Sequence, residues 1–430
     1  MRYLALAIIA VVFVAGCTST PVGEPVTIYR DARVWSGDGF EKRAFAVAGD
    51  RFVPLPRGGP GDGTVVSLDG QYVIPALGNA HHHITNANDG ANELFLRDGI
   101  YYAWNPNTLA TAVDDETRTW FARADTYDAR QALGGITEPG GHPEKLYVDI
   151  LAKWVYKGKD LDYFLGNAFH FAVDETAIDA ALDLLVSQQA DFVKIYILHS
   201  EDYAARRDDD EFYGRKGLNP DNVDYLVSAA HARDLPVVAH IETTADFRAA
   251  VAAGVDALMH LPGYTSEKTV EGYARKKLTA DDAAAAARAG VWVVPTYNLA
   301  RAQYEKKAAD GEPVAQDLIH AHYGVQAHNL AVLHAAGVPI LTGTDADIGV
   351  HKEVSQWIEV GGLSREDALQ AALATGSHLF PDRRIGRIQP GFEANFLVLR
   401  EDPRERFAPA EQISMRFKAG QQIQLPAPQP

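Results

Sequence analysis

The chain has 430 residues, 47% hydrophobic and 23% charged, enough for a sizeable core and for one large domain beside a smaller one. Its net charge of -17, with both signs interspersed, argues against a nucleic-acid partner and against charge-driven binding to anionic lipid. Cys17 is the only cysteine, which excludes a disulfide framework and a thiolate metal site, so any metal must be held by nitrogen and oxygen.

Met1-Arg2-Tyr3 and the apolar run from Leu4 to Val14 read as an export signal, because the run is too short to span a bilayer. Val14-Ala15-Gly16-Cys17 resembles a bacterial lipobox. The resemblance implies cleavage before Cys17, acylation of its thiol and new amine, and a lipid anchor on the cell envelope. Thr18 in the next position leans toward the outer membrane, if the cell has one. Residues 18–25 form a polar, proline-bearing tether.

Residues 26–73 carry short β-type runs, such as Val26–Tyr29, Ala44–Val47 and Thr64–Val66, between turn clusters. The glycine-rich stretch Gly58–Gly63 is a turn rather than a phosphate loop, since no Gly-Lys-Ser/Thr follows it. The run from Val73 then reads as a buried strand ending in three histidines. Alternation places His81 and His83 on one face and His82 on the other, and two imidazoles one pleat apart can share a divalent ion.

Beyond His83, strand patterns alternate with helical ones. Strands are expected at Ile100–Trp104, Gly135–Thr137, Phe192–Leu198, Pro236–Glu242, Ala257–His260, Val291–Thr296 and Pro339–Thr344, making eight with the His81 strand. Helices are expected at Asn222–Asp234, Ala245–Gly254, Ala280–Gly290 and Tyr323–Gly337. Eight such units fit an α/β (β/α)8 TIM barrel, whose active-site residues gather at the C-terminal strand ends. A doubly wound open sheet is the alternative, but no glycine-rich nucleotide turn supports it.

Single ligand-type residues sit at those ends. In the strand around Ile195, aliphatic side chains take one face and Phe192, Lys194 and Tyr196 the other, which turns an ammonium into the barrel. Such a lysine needs a carboxylate partner, a Schiff base, or conversion to a carbamate by carbon dioxide. His240 faces inward by the same alternation, and His260 ends the next strand. Asp345 shares its face with Leu341 and Gly343; it could ligate a metal and take a proton from bound water, or merely cap a helix starting near Gly349.

The stretch Pro75-Ala76-Leu77-Gly78-Asn79-Ala80-His81-His82-His83 resembles the first-strand signature of the amidohydrolase superfamily, Pro-Gly-x-x-Asp-x-His-x-His. Ala76 and Asn79 are its two departures. Gly386–Leu399 resembles the segment that follows the barrel in that superfamily, with Asn395 where aspartate is usual, so the resemblance covers nearly all of the chain after residue 25. It implies a barrel over 74–385 and a small β-sandwich from 26–73 and 386–424. It also implies a binuclear site, with His81, His83 and Asp345 on one cation, His240 and His260 on the other, and carboxylated Lys194 between them. Two zinc ions suit these donors, with manganese, iron or cobalt tolerated.

The implied reaction is hydrolysis of a C–N bond in a peptide-like or cyclic amide by a metal-activated water, with Asp345 as general base and then acid. The Gly140-Gly141-His142 turn is similar to one in peptidase-like and imidazolone-cleaving members, which makes His142 a candidate for orienting the scissile carbonyl and tilts the substrate toward a dipeptide. Tyr196, Tyr264 and Tyr297 lie at or just past strand ends and are candidates for substrate hydrogen bonds. His199, His231, His320, His322, His328 and His334 are read as structural. Two rivals use the same residues: hydrolysis of a lactone or phosphoester, and a non-catalytic metal- or ligand-binding lipoprotein.

Overall fold

The computed structural model describes residues 24–426 except 60, 84–86, 314, 347, 348 and 408; the export signal, Cys17 and most of the tether lie outside them. Thr27–Trp35 buries Tyr29, Ala32 and Val34 and pairs antiparallel with Phe40–Ala48, which continues to Arg51–Val53. Its register shifts between Tyr29 and Ala32. On its other edge, Thr64–Ser67 pairs parallel with the first half and Tyr72–Pro75 with the second. The C-terminal strands Phe396–Leu399, Ile413–Lys418 and Gln421–Gln422 extend the sheet from Tyr72–Pro75. By hydrogen bonding these eight strands form one curled ladder, whose two arms face each other across Phe45, Phe52 and Phe396. Aromatic rings fill its concave side: Phe396 stacks on Phe417 at 4.4 Å and Tyr29 on Phe45 at 5.0 Å.

The remaining strands make a TIM-barrel-like α/β wall. Leu77–Asn79, Ile100–Asn105 and Asp128–Gln131 form a parallel three-stranded sheet. Phe169–Phe171, Gly135–Thr137, Val193–Tyr196, Val237–His240, Ala257–Met259 and Trp292–Val294 form a parallel six-stranded one. The expected last strand, 339–344, makes one bridge, from Ile340 to Val293. Ala80 N–H donates to Thr342 O (2.8 Å) and Thr344 N–H to His81 O (3.0 Å), so the last segment meets the first through single hydrogen bonds and the ladder stays open. Gly343 permits that approach: a Cβ there would stand 2.2 Å from Val294 and 3.0 Å from the His81 Cβ.

Two strands were not expected from the sequence. Phe169–Phe171 is only three residues long, and Asp128–Gln131 carries charges that mask its pattern. Asp128 is buried nonetheless, held by Lys418 at 2.5 Å and Arg383 at 2.6 Å. Those ion pairs, with Arg383–Glu393 and the Asn395 Nδ2 bond to Tyr102 Oη (2.8 Å), tie the curled sheet to the barrel wall.

The outer helices follow their end signals. Thr244–Ala253 and Ala280–Ala289 start with reciprocal caps, Thr243 with Asp246 and Thr279 with Asp282, and stop at Gly254 and Gly290 in the left-handed conformation. Among the described residues, no helix is long and apolar enough to cross a membrane.

Candidate metal centre and active site

Strand direction brings the six expected ligands to one end of the wall. His81 and His83 lie just past Leu77–Asn79, Lys194 within Val193–Tyr196, His240 at the end of Val237–His240, and His260 just past Ala257–Met259. Asp345 follows the last segment, and its N–H donates to His81 O at 2.8 Å. His81 Nε2, His83 Nε2 and Asp345 Oδ1 converge: 3.1 Å from His81 to Asp345, 2.9 Å from His83 to Asp345, and 3.3 Å between the imidazoles. The ligand atoms of these three residues all lie within 4.8 Å of one another, the spread a single ion needs. His260 Nε2 stands 3.8 Å from Asp345 Oδ2, and the His260 ring lies 4.8 Å from that of His81 and 4.6 Å from that of His240.

Neighbouring groups fix which nitrogens face the site. His83 Nδ1 donates to the Asn107 carbonyl at 3.2 Å, which leaves Nε2 able to offer a lone pair. Thr296 Oγ1 donates to the Pro295 carbonyl (2.8 Å) and therefore accepts from His260 Nδ1 (2.6 Å), so Nε2 of His260 is the free nitrogen. His240 Nε2 lies 3.6 Å from Glu242 and 3.4 Å from Tyr264 Oη. Asn79 bonds both ends of the wall, accepting from His81 N–H (3.2 Å) and donating to Thr344 Oγ1 (3.0 Å).

Burial drives the titrations. It lowers His81 to about 3, against the opposing pull of Asp345, and with neighbouring imidazoles it holds His260 well below its usual value. Burial alone would raise Asp345; His81, His83 and His260 override it and keep the carboxylate well below its ordinary range. Burial also brings Lys194 down to about 7, opposed by Asp345. His81 and His260 therefore offer imidazole lone pairs at neutral pH beside an ionised carboxylate. Lys194 Nζ is buried and has no hydrogen-bond partner, so its amine is partly in the neutral form that reacts with carbon dioxide. The residues present fit divalent ions and a bridging carbamate.

Backbone strain concentrates here. His260 (φ +77°), Thr296 (φ +51°) and Asp345 (φ +53°) all take the left-handed conformation, at about 1–3 kcal/mol each, and Thr296 does so despite its β-branch.

A cavity of about 510 Å³ opens over these groups. His142 lines it, its ring 5.0 Å from that of His240 and 5.1 Å from that of Tyr196; burial lowers its pKa to about 3. Tyr196 and Tyr264 line it too, Tyr264 stacking on His260 at 4.0 Å. Tyr297 does not. It opens the helix Tyr297–Ala309 and is turned into the core, where its hydroxyl donates to Pro262 O at 3.3 Å. The expectation that Tyr297 contacts substrate is corrected accordingly.

Several contributors were missed. Asn107 orients His83 and accepts from Tyr147 Oη, and Pro143, Leu146, Leu151, Val155 and Tyr156 supply the far wall. His199, read as structural, reaches Glu242 at 3.4 Å and so continues the contact from His240. The polar spacing after strand ends, as in His240-Ile241-Glu242, was the available signal for Glu242; the far wall left none.

No protein of curated function matches the sequence. Among solved structures, the chain is similar to A. niger ochratoxinase (TM-score 0.68, 18% identity, 93% of this chain and 95% of that one). It is also similar to a Xaa-Pro dipeptidase with bound methionine (0.69, 18%, 92% and 99%) and to phenylurea hydrolase B (0.64, 18%, 93% and 96%). At that identity the likeness shows the fold. The family assignment comes from the sequence itself: residues 72–423, which carry every one of these strand-end groups, match the amidohydrolase family, and the chain belongs to it.

Proposed function

We propose that this amidohydrolase cleaves a C–N bond next to a carbonyl, using two divalent ions. The observation that carries the reading is the convergence of His81, His83 and Asp345 beside a buried lysine amine with no partner. The preference for C–N bonds is supported by similar proteins whose names describe a dipeptidase and a phenylurea hydrolase. His81, His83 and Asp345 would hold one ion and His240 and His260 the other, with Lys194, as its carbamate, between them. Bound there, the ions supply Lewis acidity toward the carbonyl and toward water.

The chain's own groups do the rest. The Asp345 carboxylate, held ionised by three imidazoles, accepts a proton from the attacking water at Oδ and returns it to the departing nitrogen. His142, neutral because it is buried, donates a hydrogen bond to the carbonyl oxygen as negative charge grows on it.

The test is metal content per chain on protein truncated before Pro25 and reconstituted with zinc and bicarbonate, beside Lys194→Ala and Asp345→Asn. Two ions in the unaltered protein, one or fewer in Lys194→Ala, and a loss of kcat of about 10³-fold or more in Asp345→Asn are expected. A single ion in the unaltered protein, retained in Lys194→Ala, would remove the carbamate bridge. No ion at all would remove the mechanism.

A further inference from the structure

The cavity has two unlike sides. One is the floor of imidazoles and Asp345. The other is apolar, built by Leu146, Leu151, Val155 and Tyr156 from the irregular helical stretch after Pro143. Val155 belongs to that wall and is 62% exposed, so the apolar side runs out to the mouth. Among the described residues that line the cavity there is no arginine, and Lys194 is the one lysine. Residues 84–86 and 347–348, which follow His83 and Asp345 in sequence, contain neither lysine nor arginine. Lys194 is buried at the floor under the influence of Asp345, and in the function proposed above it is consumed as the carbamate.

A free dipeptide carries a carboxylate close to the scissile bond. In this cavity such a carboxylate would leave water with no side-chain cation to receive it: the ions proposed for the floor would be engaged by their ligands, water and the scissile carbonyl, and the side away from them is apolar. Tyrosine hydroxyls and imidazoles offer hydrogen bonds but no permanent charge. A volume of about 510 Å³ suits a substrate of drug-like size, most of whose surface would lie against carbon.

We infer that the substrate is an uncharged amide, carbamate or urea whose bulky apolar group packs on Leu146, Leu151, Val155 and Tyr156, and that it has no free carboxylate beside the scissile bond. This turns the expectation away from dipeptides, and it rests on the hydrolase reading above.

Matched pairs differing only in the carboxylate test it: N-acetyl-leucyl-pyrrolidide against N-acetyl-leucyl-proline, and hexanoyl anilide against 4-(hexanoylamino)benzoate, on the zinc-loaded protein. The uncharged member of each hydrolysed pair should have the higher kcat/KM, by about a hundredfold. Val155→Lys, which sets a cation on the exposed rim, should narrow that ratio about tenfold, mostly through KM for the carboxylates. N-acetyl-leucyl-proline or the benzoate turned over as fast as its partner would overturn the inference and leave the hydrolase reading intact. If no pair is hydrolysed, the hydrolase reading fails for these bonds. Calorimetric titration of the same pairs then decides the cavity's preference without turnover, tighter binding of the carboxylates being the result against it.

Discussion

Thr296 determines more of the site than its lack of a ligand atom suggests. Because its hydroxyl proton goes to the Pro295 carbonyl, it can only accept from His260, and that fixes the proton of His260 on the nitrogen remote from Asp345. Thr296→Val keeps the shape and removes the acceptor. Metal affinity, measured by competition with a chelator, should weaken by about 10- to 100-fold while the circular dichroism stays unchanged. An unaltered affinity would mean that His260 holds its tautomer by other means. The residues that were legible in the sequence are those whose role follows from alternation: Lys194 and His240 stand on strands whose other face is aliphatic, so their direction could be read. Thr296 and Asn107 could not be found that way. Their importance lies in backbone carbonyls and a left-handed φ, neither of which leaves a pattern in residue types.

Helix Tyr297–Ala309 illustrates a similar limit one level up. Its first turn has no local cap; Glu353, on the helix Val350–Glu359, supplies it instead, accepting from Tyr297 N–H (2.9 Å), Asn298 N–H (2.7 Å) and Trp357 Nε1 (3.0 Å). A capping residue 56 positions away cannot be inferred from local signals, so the helix that turns Tyr297 into the core, away from the cavity, was not expected. The helices with caps in their own sequence, at Thr243 and Thr279, were placed well. The stretch from Leu146 to Trp154 was not, because its wide helical turns lack the regular spacing of apolar residues that marks a helix.

Glu353 also gives a titration with a definite sign. Burial raises its pKa from 4.5 to about 7, against the three donors that favour the ionised form. The folded state thus keeps a proton that the unfolded chain releases, and stability falls as pH rises between those two values, by about 3 kcal/mol over the window. Denaturant unfolding of the unaltered protein should show that decline from pH 5 to pH 7.5, and Glu353→Gln should lack it. Parallel curves for the two proteins would rule the assignment out.

Taken whole, the molecule is a barrel-like wall clamped to a curled sheet that both ends of the chain build. The arrangement was largely readable, because the strand pattern, the helix stops and the two family-like segments agree with one another. The open ladder and the continuous sheet were not, since hydrogen-bond register is decided by contacts between distant segments. The anchor remains a proposal about the intact chain: Cys17 is acylated and carries this body on a membrane. In cell fractions the unaltered protein should then sediment with membranes and be freed by detergent, and most of Cys17→Ser should stay in the supernatant. Equal partitioning of the two would dismiss the anchor.

The seam between the first and last segments of the wall has a consequence for how the protein is made. His81 and Asp345 are 264 positions apart, joined by the bond from Asp345 N–H to His81 O and by Asn79 holding Thr344. A nascent chain that has emerged only as far as the Trp292–Val294 strand already has His81, His83, Lys194, His240 and His260, yet lacks Asp345, whose carboxylate gathers the first two. Loop closure over that distance is slow, so the ion-binding trio is a late product of folding. If the chain is exported in an extended form, as the proposed anchor requires, it travels with no assembled trio, and an ion would have to come from the compartment where folding finishes.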